Sequence, residues 1–139
     1  MPARVETRGR SRALQALYAW DLREHEDLGR VASLIWDDLA VAADEREFAG
    51  NLLRLVTADG ALLDAELGAV TTNWRLERVG VIERCVLRLA AAELREGVTP
   101  PRVVIQEAVR LAERFGSEQS AGFVNGVLDA LARRMGRLR

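Results

Sequence analysis

Apolar residues recur at three- and four-residue spacing along almost the whole chain, and no stretch alternates with the two-residue period of a strand. The pattern predicts an all-α protein. A first helix is expected over 8–23 and a second over about 30–41, the latter presenting Val31, Leu34, Ile35 and Leu39. A third is expected from Asp44, a plausible N-cap with Glu47 three residues on. It carries Phe48, Leu52, Leu55 and Val56, then Leu62, Leu63 and Leu67, with Gly68 as its C-terminal stop. A short segment over 72–78 follows, then a helix over 81–96 that turns Ile82, Cys85, Val86, Leu89 and Leu94 inward and stops at Gly97. Thr99-Pro100-Pro101 reads as a helix start, since proline is tolerated in a first turn that needs no N–H donor. That helix, over 101–115, buries Val104, Ile105, Ala108, Val109 and Leu111 and ends at Gly116; Ser117 is the expected cap of the last one.

Two helices carry more than a core stripe. On the first, Ala13, Leu14, Leu17 and Trp20 share one side, while Arg8, Arg12 and Gln15 fall opposite and Tyr18 sits at the boundary. Arginine neutralises phosphate, an amide can bond a base edge, and an exposed ring can stack on an unpaired base, so this face suits single-stranded RNA. Arginines at a helix N-terminus also oppose the macrodipole, at about 0.3–1 kcal/mol each, which favours a bound anion there. The plainer alternative is a solvated face with a boundary tyrosine. On the last helix, Val124, Val127, Leu128 and Leu131 are inward, yet Asn125 and Gly126 stand mid-helix, where glycine costs about 1 kcal/mol relative to alanine. Close helix packing, or the approach of another molecule, would account for them. Phe123 lies at the edge of the apolar group, where its ring can reach outward.

Composition sharpens this picture. The 139 residues suit one domain able to bury a core without disulfides or metal. The single cysteine, Cys85, excludes an internal disulfide and falls on an apolar face; a reducing cytoplasm fits. No apolar run approaches the roughly 20 residues of a membrane span, and no apolar signal core follows the basic start. Net charge is −1, but it is unevenly placed. Residues 1–12 hold Arg4, Arg8, Arg10 and Arg12 against Glu6, and residues 133–139 hold Arg133, Arg134, Arg137 and Arg139, so the body between them is acidic. Basic ends on an acidic body point to a local polyanion site. Every basic side chain other than His25 is arginine, on structural faces too, which carries little functional weight. His25 lies in a charged run without a second histidine or cysteine nearby, so neither a zinc site nor a Cys/His pair is credible, and no phosphate-binding glycine loop occurs. Neither an enzyme nor a cofactor or metal is expected.

At this point four blocks become informative together. Arg8-Gly9-Arg10 with Gln15-Ala16-Leu17-Tyr18-Ala19-Trp20 resembles the start of the bacterial NusB transcription antitermination family. So do Glu83-Arg84-Cys85-Val86-Leu87-Arg88-Leu89-Ala90 with Glu93-Leu94, and Val104-Ile105-Gln106-Glu107-Ala108-Val109 with Phe115-Gly116. The closing Phe123-Val124-Asn125-Gly126-Val127-Leu128-Asp129 is the most specific. The resemblance implies a single domain over 1–139 of about seven helices in two packed bundles, without catalytic activity. It implies pairing with the ribosomal protein NusE, binding of single-stranded boxA RNA in ribosomal RNA transcripts, and action within the RNA polymerase elongation complex with other Nus factors to promote transcription of rRNA operons. A homodimer is a further form it admits. Arg8, Arg10, Gln15, Tyr18 and Phe123 match positions associated with RNA, with Arg12 added by its place on the basic stripe; Glu77 and Glu83 fall where the family turns acids toward NusE. The chain departs from the family at Gly122 (often basic), Gln119 (commonly acidic), Ala92 (commonly aromatic) and Gln106 (frequently Asn). The first two bear on RNA affinity and self-association. Two other readings are a detached RNA-targeting module related to rRNA cytosine methyltransferases, and a self-associating structural helical protein.

Overall fold

The computed structural model describes residues 4–23, 26–71 and 79–139. These hold six α-helices: α1 (Val5–Asp21), α2 (Leu28–Asp38), α3 (Ala43–Val70), α4 (Val81–Glu96), α5 (Pro101–Phe115) and α6 (Ser120–Arg134). The short segment expected over 72–78, Trp74 and Glu77 with it, lies outside the described residues, as does His25. Helices α1–α3 form one group and α4–α6 another, and α4 joins them by packing on α1, α3, α5 and α6.

The reason is legible in α4. Most helices bury one stripe, but Cys85, Val86, Leu87, Leu89, Ala90, Ala91, Ala92 and Leu94 are all buried, so α4 is covered nearly all round. Its alanines leave room for neighbours on several sides. Leu14 and Leu17 from α1, Leu63 and Leu67 from α3, and Leu128 and Leu131 from α6 complete the core. The charges α4 carries inward each find an opposite partner: Arg84 meets Asp21 at 2.9 Å, Arg88 meets Asp64 at 2.8 Å and Glu93 meets Arg10 at 2.7 Å. Arg88 is charged more firmly than usual; burial opposes its charge, but the hydrogen bond and attraction from Asp64 prevail and raise its pKa. Burial, with Asp21 nearby, pushes the Cys85 thiol up to about 12, as befits an inert core residue.

Helix ends follow the sequence in places and depart from it in others. α4 and α5 have the expected limits, and Gly97 takes the left-handed conformation (φ 76°) that closes α4. α2 stops at Asp38, short of the expected 41, with Ala40 left-handed (φ 51°). Tertiary contact explains it: Arg46 of α3 donates to the Trp36 carbonyl at 2.7 Å and the Val41 carbonyl at 2.8 Å, satisfying groups that another helical turn would have used. α3 starts at Ala43, so Asp44 is within its first turn and not its N-cap. The helix also runs through Gly68 to Val70, bending at Asp59 (φ −113°, ψ 17°) instead. Ser117 does not cap α6 by its side chain. The Ser120 hydroxyl accepts from the Ser117 N–H at 2.8 Å, turning the cap inward from inside the helix.

α1 packs on α3 at Gly9, where a Cβ would meet Phe48 Cδ1 at 2.7 Å. Gly9→Ala is expected to lose about 1–3 kcal/mol through overpacking, more than the roughly 1 kcal/mol that alanine's helix propensity returns. Urea unfolding reads the difference; a net gain in stability would show that Phe48 moves aside freely.

Candidate nucleic-acid interface

The arginines of α1 divide into two roles. Arg10 is 5% exposed. Its Nε and Nη2 donate to the two Glu93 oxygens at 2.7 Å each, its Nη1 reaches Glu107 of α5 at 3.2 Å, and its guanidinium lies 5.1 Å from the Phe48 ring centre. Burial works against the charge, but the hydrogen bonds and attraction from Glu93, with Glu107 and Glu6, outweigh it and raise the Arg10 pKa. Thr7 adds a hydrogen bond to Glu107 at 2.5 Å. The expectation that Arg10 meets RNA is therefore corrected: its fork is filled by a buried carboxylate, and it fastens α1 to α4 and α5.

Arg8 and Arg12 are on the outer face as the periodicity required, but they are not a bare basic stripe. Arg8 Nε donates to Glu45 Oε2 at 2.9 Å and Arg12 Nε to Glu45 Oε1 at 3.4 Å. Arg12 also donates to Gln15 Oε1 at 3.2 Å. Glu45 is buried, in the first turn of α3, where the helix dipole favours a carboxylate. The cost of arginines near the start of α1 is thus offset inside the protein, and the dipole argument for a bound anion loses its force. What remains favourable is access: the Arg8 side chain keeps 42% of its surface and Arg12 29%. Glu45 was not singled out in the sequence; its place opposite two arginines is a product of α1–α3 packing.

The aromatic residues are placed differently. Tyr18 is 39% exposed and Phe123 38%. The pairs Arg10–Glu93 and Asp21–Arg84 run α1 antiparallel to α4, so Tyr18, one turn before Asp21, lies toward the N-terminal end of α4. Phe123 lies at that end too. It shares a shallow groove of about 240 Å³ with Glu83 of α4, Ser117, Gln119 and Ser120. The Glu83 carboxylate accepts from the Ser120 hydroxyl. Glu83, expected to face a protein partner, and Phe123, expected to face RNA, therefore line one groove. α1 and α6 do not pack extensively on each other; α4 lies against both. Gln15 is half-buried beside Arg12. Among the described residues no three potential metal ligands cluster, and no helix is long and apolar enough to cross a membrane.

Comparison with known proteins agrees with this architecture. The NusB family model matches residues 7–133. The transcription antitermination protein NusB of Anaeromyxobacter dehalogenans (strain 2CP-1 / ATCC BAA-258) is 43% identical over 127 residues, 91% of this chain and 89% of that protein. That of Sorangium cellulosum (strain So ce56) is 41% identical over 131 residues, 94% and 93% of the two chains. Among solved structures, T. maritima NusB superposes with a TM-score of 0.85 at 34% identity, covering 96% of this chain and 93% of that one. A chain from a complex of antitermination factors NusB and NusE with double-stranded RNA gives 0.84 at 29% identity, covering 96% and 99%. A match that spans the basic helix, the buried α4 and the closing Phe-Val-Asn-Gly helix alike places this chain in the NusB family.

Proposed function

We propose that this protein is a non-catalytic, RNA-binding transcription antitermination factor that works with the ribosomal protein NusE on single-stranded boxA RNA of ribosomal RNA transcripts. The observation that carries this reading is the whole-length likeness to a chain of a complex of NusB and NusE with double-stranded RNA, at 29% identity and a TM-score of 0.84. Arg8, Arg12 and Gln15 meet the RNA along α1, Tyr18 and Phe123 stack on bases, and Arg10 acts behind them by holding α1 in place. Glu83, and Glu77 outside the described residues, face NusE, whose basic surface complements acid. The protein acts in the cytoplasm within the RNA polymerase elongation complex, and a homodimer is its RNA-free alternative.

Titration of labelled boxA RNA against this protein with NusE is expected to show tighter binding than to scrambled RNA; equal affinity ends the specificity claim. Arg8→Ala with Arg12→Ala is expected to flatten the salt dependence, by roughly 0.7 in slope for each lost phosphate contact. An unchanged slope would place those phosphates elsewhere.

A further inference from the structure

The mid-helix Asn125-Gly126 is not explained by close packing. A Cβ at Gly126 or Gly122 would meet nothing within 4 Å. Asn125 instead borders a groove of about 480 Å³ between α5 and α6, which Arg102, Gln106 and Arg110 line from α5 and Asp129 from α6. The three α5 residues are four apart and so form one stripe, with the two arginines about 12 Å apart along the axis.

The electrostatics of this groove differ from those of α1. Arg8, Arg10 and Arg12 all hold carboxylates. The side chains of Arg102 and Arg110 make no hydrogen bond or ion pair among the described residues, and both residues are exposed. Of the two acids on the groove, Asp129 is engaged by Arg133 at 2.8 Å, which leaves Glu113 at the far end of α5. Cationic forks without partners, in a groove, are where a polyanion gains most for least disruption. Two amides, Gln106 and Asn125, border the same space, and each can both donate to and accept from a base edge. At about 100° per residue, the outer face of α6 runs from Asn125 past Asp129, Gly122 and Gly126 to Phe123. The glycines make a low shelf that joins the groove to the exposed ring.

We propose that the α5–α6 groove is a second contact for the same single-stranded RNA: phosphates meet Arg102 and Arg110, a base is held at Gln106 and Asn125, and the strand crosses the glycine shelf from Phe123. This rests on the RNA-binding reading above. The paired amides and the continuity with Phe123 favour RNA over an acidic peptide, which would need only the arginines.

The test uses the full chain, fluorescent single-stranded boxA RNA of about 20 nucleotides, and NusE present or absent. Arg102→Ala with Arg110→Ala is expected to weaken binding roughly 25-fold at 0.1 M salt and to lower the salt slope by about 1.4, the loss of two phosphate contacts. Gly126→Gln, which raises the shelf without changing charge, is expected to weaken binding with the slope retained. Circular dichroism confirms folding of each variant. Wild-type binding with both variants unchanged in affinity and slope overturns the groove and leaves the RNA reading intact. No RNA binding by the wild type, with or without NusE, overturns both. Normal RNA binding by the double variant with loss of NusE binding assigns the groove to protein and overturns the inference.

Discussion

Arg10→Ala is expected to destabilise the fold by about 3–5 kcal/mol, the typical loss when one member of a buried ion pair is removed. Glu93 is 4% exposed and takes both hydrogen bonds of the Arg10 fork at 2.7 Å; without it, a carboxylate is stranded between α1, α4 and α5. Arg10→Lys keeps the charge but not the fork and should fall between. The folded-state pKa of Arg10 is raised, so its contribution is fully present below the ordinary arginine value and is lost only as pH rises through the higher folded one. The deficit should therefore be constant across neutral pH. Urea unfolding measures it, and a loss below about 1 kcal/mol would mean that water reaches Glu93 and takes the place of the guanidinium. RNA binding supplies an independent check: at temperatures where Arg10→Ala stays folded, its salt slope should equal that of the wild type, because a buried guanidinium meets no phosphate.

The second large effect separates two apolar residues of one helix. Leu128→Ala, at a fully buried position in α6, should cost about 2–5 kcal/mol through the cavity it leaves. Phe123→Ala removes a larger side chain, but from the rim of the groove beside Glu83, and should change stability by about 1 kcal/mol or less. Its effect should fall on RNA: one lost stacking contact is worth about 1–3 kcal/mol, roughly 30-fold in affinity near the middle of that range. Thermal unfolding and RNA titration of the two variants should thus give opposite rankings. If Phe123→Ala unfolds as readily as Leu128→Ala, the ring is a core residue and not a platform.

Much of the fold could be read from one-dimensional periodicity. α4 and α5 are bounded by local signals, glycine after one and proline before the other, and both ends agree with expectation. Ends set by distant groups depart from the local signals. The α2 terminus depends on a guanidinium from α3, and the inward serine at the start of α6 is held by Glu83 of α4. The candidate site shows the same division. Arg8, Arg12 and Gln15 are on the outer face of α1 because helical geometry alone dictates it. Arg10 was placed by resemblance near the basic stripe, and only the position of Glu93, distant in sequence, shows that it is buried.

The sequence by itself determined the helical class, the inward faces of α1, α4, α5 and α6, the exclusion of an internal disulfide and membership of a family, since each depends on residue type and local spacing; on α2, Leu34 and Leu39 are exposed and Leu28, Ala32 and Trp36 are buried instead. Tertiary structure alone decided which arginines are already neutralised. Charge pairing is a matter of distance after folding, and Glu45, Glu93 and Glu107 reach α1 from three different helices. It also decided that Asn125 borders a groove lined by two arginines of α5 and that a Cβ at Gly126 would meet open space, because a helix's outer face acquires its neighbours only when the next helix packs against it.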